Sequence, residues 1–190
     1  GTCDMADISL EAVTGKLNRI AYDSFMQALR MAKGAGNRNL ELVHWFLKML
    51  QMDRNDVVLT ADHFKLDRAK LLLDAGAVVN GFAMNKTEMP DISQGVIDAL
   101  DRGWHFATLM FGETQIRTGH ILASCLKDEK LARVLNGISK EFARINVEQL
   151  TNEHQKIWRG SDEENLRPMD GSGLVGAGTP GAAAGAPGAK

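Results

Sequence analysis

Apolar residues along this chain recur every three to four positions in short runs, broken by Gly, Asn, Asp and Ser, which is the spacing of amphipathic helices. Leu10, Val13 and Leu17 follow it after Ser9, a residue suited to cap a short helix, until Gly15 weakens the run. Asn18 offers the next cap. Ala21, Phe25, Ala28, Ala32 and Ala35 then trace a stripe of mostly small side chains, which lets a neighbouring helix approach closely, before Gly34 and Gly36 end it. Asn39 is placed to open a helix over 42–50 with Val43, Phe46, Leu47 and Leu50 inward. Val57, Val58, Ala61 and Phe64 mark a third short helix, and Asp67 caps a fourth through Leu71, Leu72, Ala75 and Val78. Gly81 to Pro90 reads as loop. Ser93 caps a helix bearing Val96, Leu100, Trp104, Ala107 and Phe111, and Asn146 opens one running through Leu150 toward Trp158. Nowhere do apolar and polar residues alternate between turn signals, so no strand is expected and the fold class is all-α.

The pattern occurs twice. Leu42-Val43-His44-Trp45-Phe46-Leu47 returns as Thr118-Gly119-His120-Ile121-Leu122-Ala123, and 120 minus 44 gives an offset of 76. The same offset carries Gly36 onto Gly112, Leu40 onto Ile116, Leu50 onto Leu126 and Leu59 onto Leu135. The caps Asp67 and Asn146 are 79 apart, so three residues are inserted in the second copy. A unit that recurs once predicts a pseudo-twofold domain rather than a solenoid, with repeat one over about 19–80 and repeat two over about 93–158. The helix begun at Ser9 lies outside both copies, so the domain is expected over 9–158, and the seam between similar halves is a natural place for a groove.

Charge narrows the partners. Lys and Arg number 22 against 24 Asp and Glu, a net charge of -2, and no basic stripe is present to hold nucleic acid or an anionic membrane. No apolar run approaches the ~20 residues of a membrane span, and the start lacks a signal peptide's basic and apolar regions. A cytoplasmic protein is expected. Cys3 and Cys125 make no disulfide framework, and Cys125 sits in an apolar helical run where a small buried thiol is expected. Residues 1–8 are expected to be a tag remnant and a disordered start. After Trp158 the composition shifts, and 171–190 hold seven Gly, six Ala and two Pro, too little apolar surface to offset ordering entropy. A flexible linker over 159–190 is expected, leading to a module beyond this sequence.

Catalytic chemistry is hard to find. His44, His63, His105, His120 and His154 include no pair at a zinc protease's helical spacing, so no metal site is expected. His44 and His120 occupy matching helix starts, where a histidine tying down a loop is expected. Ser124 and Cys125 align with Lys48 and Met49, so the symmetry carries no nucleophile. The glycine-rich tail never forms a phosphate-binding loop, and no cofactor is expected. Asp162-Glu163-Glu164 reads as a solvated turn, because nothing apolar adjoins it in sequence to raise a pKa. Among the many methionines, Met26, Met31, Met49, Met52, Met84, Met89 and Met110, most are expected to fill the core and one or two to form an adaptable binding surface.

Five motifs in order carry a resemblance: Gly15-Lys16-Leu17-Asn18, Glu41-Leu42-Val43-His44-Trp45, the stretch from Arg102-Gly103-Trp104 to Gly112, Arg117-Thr118-Gly119-His120-Ile121-Leu122, and Ile138-Ser139-Lys140-Glu141-Phe142. From about Ile8 to Trp158 the chain resembles the Clp N-terminal domain of AAA+ unfoldases, and within that family it looks like the ClpV branch of type VI secretion. The resemblance implies a double Clp-N repeat with an additional N-terminal helix. It implies a bacterial, cytoplasmic recognition module, not itself an enzyme, whose partner is a short amphipathic helix of the larger sheath subunit, with an accessory adaptor as a further possible partner. ATP and Mg would belong to absent ATPase modules. The fragment would be a monomer and its parent a homohexamer. The alternative is an adaptor- or substrate-binding N-domain of another Clp-type unfoldase or disaggregase. Because the N-terminal segment lies outside the repeat and has its own apolar face, the groove is expected from Leu10, Val13, Leu17 and Ile20, walled by Phe82, Met84 and Ile92.

Overall fold

Short polar side chains set the starts of the helices by accepting unpaired backbone N–H groups. The computed structural model describes residues 10–172. The expected tag remnant, the Ser9 cap, Cys3 and the glycine-rich end of the linker lie outside them. Asn18 caps α1 (Arg19–Gly34) by accepting the Ala21 N–H at 2.8 Å, and the stripe Ala21, Phe25, Ala28 and Ala32 is buried. Then come α2 (Leu42–Leu50), α3 (Asp56–His63) capped by Asn55, and α4 (Arg68–Asn80) capped by Asp67. The second copy comprises α5 (Gln94–His105) capped by Ser93, a π-helical turn over Phe106–Met110, α6 (Thr118–Lys127), and α7 (Glu129–Ile138) capped by Asp128. A 3-10 turn (Lys140–Arg144), α8 (Val147–Asn152) and α9 (His154–Ile157) complete it.

The duplication holds in three dimensions. α2 and α6 begin 76 residues apart, and each is preceded by a glycine with positive φ, +68° at Gly36 and +63° at Gly112, a conformation that only glycine adopts freely. In both, the histidine at the third helical position turns its ring back to accept the N–H of the residue before the helix, at 3.0 Å from Glu41 and 3.0 Å from Arg117. The halves share one core: Phe46 meets Phe142 edge-on at 5.7 Å, and Trp158 Nε1 donates to Thr60 Oγ1 at 2.9 Å. Cys125 is fully buried, and burial pushes its thiol well above the usual range.

Three expectations need correction. Asn39 does not open α2. It lies in β1 (Asn39–Leu40), which pairs in parallel with β2 (Asp91–Ile92), and the cap position belongs to Glu41. Two residues are too few for alternation to register in sequence. What makes the pair is tertiary: Asp91 N–H reaches Arg38 O at 3.1 Å, and Ser93 N–H reaches Leu40 O at 3.0 Å. The helix expected from Asn146 to Trp158 breaks at Glu153 (φ -115°, ψ 21°), which swings Trp158 into the core beneath α6. The folded part also continues past Trp158. Ser161 and Glu163 are buried, Met169 N–H donates to Leu17 O at 2.8 Å, and Asp170 N–H donates to Gly15 O at 2.9 Å, so 159–172 is not a loose linker.

Candidate peptide-binding site

The N-terminal segment is one helical turn at 10–14 followed by an extended stretch held on both edges. On one edge Asn18 N–H donates to Ile116 O at 3.0 Å and Ile116 N–H to Lys16 O at 2.7 Å, while Met169 and Asp170 hold the other. Lys16 Nζ pairs with Asp170 at 3.0 Å and lies 5.4 Å from the Trp104 ring centre. Leu17 is fully buried and Val13 is 8% exposed, so both close the core beneath the segment. Leu10 packs half-buried against that core, and Ile20 is half-buried at the start of α1.

Phe82, Met84 and Ile92 stand elsewhere. The Met84 backbone lies against Gly36, and Lys86 N–H donates to Gly36 O at 2.9 Å, just beyond the last residue of α1. α1 has 16 residues, so about 24 Å separates these walls from Leu17 and Ile20. The seven expected residues therefore form two groups at opposite ends of one helix. Phe82 covers the His44 ring at 5.5 Å, Ile92 packs half-buried beside β1, and Met84 is 70% exposed. Between the two ends α1 presents a half-buried ridge of Tyr22, Met26 and Leu29, which the sequence reading did not place. At ~100° per residue this ridge lies on the flank of α1 opposite Ile20.

The acidic turn is the largest departure from sequence reasoning. Glu163 is fully buried where the halves meet, accepting Asn18 Nδ2 at 3.0 Å, Asp56 N–H at 2.9 Å, Thr118 N–H at 2.7 Å and the Thr118 hydroxyl. Burial, and then the neighbouring Asp56 carboxylate, push its pKa from the ordinary 4.5 up to about 7. Asp56, also fully buried, binds Arg117 through both oxygens at 2.8 Å. Burial works against the Arg117 charge, but Asp56 more than offsets it and holds the guanidinium above its usual range. These contacts span more than forty residues of chain, so no local pattern reveals them. The arrangement ties the two copies and the segment after Trp158 into one body and leaves no carboxylate free for acid–base chemistry there.

The two histidines serve as the sequence predicts, with a difference. His44 Nε2 lies 2.9 Å from Asn37 Oδ1, and burial lowers its pKa despite the opposing influence of Glu41. His120 stacks on Phe111 at 4.8 Å and meets Trp158 at 5.8 Å. Among the described residues no group of three His, Cys, Asp or Glu is placed to hold a metal, and no helix is long and apolar enough to cross a membrane.

No protein-family model matches the chain. The AAA+ ATPase ClpV1 of Pseudomonas aeruginosa is 37% identical over 182 residues, covering 96% of this chain and 20% of that protein, so the chain spans about a fifth of the length of the curated relatives it matches. A solved structure from work on the coevolution of the ATPase ClpV, the TssB-TssC sheath and the accessory HsiE protein superposes with a TM-score of 0.77 at 37% identity, over 80% of this chain and 94% of that one. A ClpV N-domain in complex with a VipB peptide superposes with a TM-score of 0.66 at 19% identity, over 81% and 94% of the two chains, a likeness of fold. With the doubled histidine-led helix and the added N-terminal segment, these matches establish that the chain belongs to the Clp N-terminal domain family, in the ClpV branch of type VI secretion AAA+ ATPases.

Proposed function

We propose that this chain is the substrate-recognition domain of its AAA+ parent, and that it binds a short amphipathic helix of the larger sheath subunit so that contracted sheath is taken apart and recycled. The observation that carries the placement is the N-terminal segment, which belongs to neither repeat and is pinned on both edges, with Leu10 left half-buried on it and Ile20 half-buried where α1 of the first repeat begins. Leu10 and Ile20 are the contact residues, and Val13 and Leu17 form the floor that holds them. The solved complex of a ClpV N-domain with a VipB peptide supports the reading that a domain of this fold takes a peptide, though not the position of the groove.

A helix held by three or four apolar anchors gains on the order of 1.5–3 kcal/mol from each. Association and ordering cost several kcal/mol, so one domain binds weakly, at most about -8 kcal/mol or roughly micromolar. Anchors at i and i+7 span only about 10 Å, so one short helix engages one end of α1, not both. The domain is a monomer without nucleotide of its own. ATP, Mg and hexamer formation belong to the rest of the parent, where tethered copies gripping several sheath helices gain avidity for polymer over free subunit. An accessory protein docking on the same domain would compete for or extend this surface.

Titration of a sheath-derived helical peptide tests the placement. Leu10→Glu and Ile20→Glu are expected to weaken binding at least about tenfold, one buried anchor's worth, with the melting temperature preserved. Phe82→Ala, at the far end, is expected to leave affinity unchanged. Loss of binding in Phe82→Ala with none in Ile20→Glu overturns it.

A further inference from the structure

The stretch 159–172 is held in two parts, and the two are held very differently. Its root is locked in the seam: Ser161 and Glu163 are buried, Asp162 N–H donates to Arg54 O at 2.8 Å, and Glu163 accepts from Asn18, Asp56 and Thr118. At Asn165 the backbone takes a left-handed turn, φ +63°, which asparagine tolerates better than most side chains. Residues 166–172 then run antiparallel along 15–18, with Pro168 opposite Asn18. This outer part is fastened lightly. Met169 and Asp170 donate their N–H groups to Leu17 O and Gly15 O, and Lys16 Nζ pairs with Asp170 at 3.0 Å and donates to Ser172 Oγ at 2.7 Å. Pro168 is its one buried residue, while Met169 and Asp170 are exposed.

The outer part also forms one of the two edges that fix the N-terminal segment. Ile116 holds the other, by accepting the Asn18 N–H at 3.0 Å and donating to Lys16 O at 2.7 Å. With 166–172 peeled away, Gly15 O and Leu17 O lose their donors and Lys16 loses its counter-ion, so the segment keeps a single paired edge. The turn at 10–14 that carries Leu10 follows directly from that segment. A stretch with few buried side chains and exposed backbone bonds opens at far lower cost than the whole fold, so 166–172 can leave while the root at Glu163 stays in place.

We propose that 166–172 is a strap that controls the helix-binding groove: docked, it holds the N-terminal turn and Leu10 where a partner helix grips them, and peeled back as far as Asn165 it releases them. This rests on the groove placement given above. Tension on the chain beyond Ser172 loads the bonds of Ser172 and Asp170 first, which makes the strap a lever on recognition. Docking and peptide binding reinforce each other, because a ligand that prefers one state of a two-state element stabilises that state by the factor it gains in affinity.

The test uses the full chain carrying Met169→Pro, which removes the donor to Leu17 O, or Asp170→Lys, which sets two ammonium groups side by side. Both side chains are exposed and neither belongs to the groove. Amide hydrogen exchange at Asn18 and Ile116, on the opposite edge of the segment, is expected to quicken at least about fivefold in both variants with the melting temperature preserved. Affinity for the sheath-derived helical peptide is expected to fall at least about fivefold, and saturating peptide to slow exchange of the unsubstituted protein's Met169 and Asp170 amides by a comparable factor. Unchanged exchange at Asn18 and Ile116, or quickened exchange with unchanged affinity, overturns the strap while the groove, tested by Ile20→Glu, still stands. Undiminished binding in Ile20→Glu overturns the groove placement, and the strap's control of it falls with it.

Discussion

The first histidine box is closed and the second is open, although both descend from one pattern. His44 has a partner on each ring nitrogen, Glu41 N–H and Asn37 Oδ1, and Phe82 caps it. His120 keeps only the first of these, at Arg117 N–H, and is covered instead by Phe111 and Trp158. Two of the residues that differ between the boxes tie the halves together: Glu41 becomes Arg117, which binds Asp56 across the seam, and Val43 becomes Gly119, against which Trp158 lies. Repetition sets the frame of each copy, and departures from it set how the copies join.

Substitutions that sharpen this contrast fall in order of size. Arg117→Ala strands the fully buried Asp56 and is expected to cost about 3–5 kcal/mol in denaturant unfolding, whereas Glu41→Ala at the matching position costs under about 1 kcal/mol. Equal losses would mean that the Asp56 pair does not anchor the second box. Gly119→Ala places a methyl group in the Trp158 ring and is expected to destabilise by about 1–3 kcal/mol, lowering the melting temperature, while Val43→Ala makes only a small cavity.

Glu163 gives a pH signature to the joint between the copies. Its folded pKa of about 7 lies above the ordinary 4.5, so the folded state binds the proton more tightly than the unfolded chain does. The stability it contributes is fully present below about 4.5 and is lost as pH rises through about 7. Unfolding free energies across that window are expected to show this downward component, and Glu163→Gln to remove it while lowering overall stability, since a side-chain amide cannot accept at both ends. The smallest effect belongs to Glu113→Asn, which gives His120 Nε2 the partner that His44 has and is expected to raise stability by about 1 kcal/mol or less.

The helices and their order were legible because capping residues and a three-to-four apolar spacing act within a few residues. Asn18, Ser93, Asp67 and Asn146 all cap where the pattern places them. The doubling was legible because His44 and His120 hold the same structural job. The candidate groove was legible only in part. Leu10 and Ile20 are on the surface, but Val13 and Leu17 were indistinguishable from them by pattern, and no periodicity could show that Met84 docks at Gly36, the far end of α1. Glu163 was misread for the same reason: polar neighbours in sequence describe its local chain, not the seam into which residues 159–172 fold.

The amphipathic helices, their caps and their twofold repetition are written into the order of residues, since each follows from interactions spanning one or two turns. That a polar turn enters the core, that a two-residue parallel ladder joins β1 to β2, and that one histidine ring has two partners while its twin has one are outcomes of packing in three dimensions. Those outcomes depend on pairs such as Asp56 and Arg117 or Gly119 and Trp158, brought together by packing across tens of residues, where burial and charge act through space and leave no periodic trace along the chain.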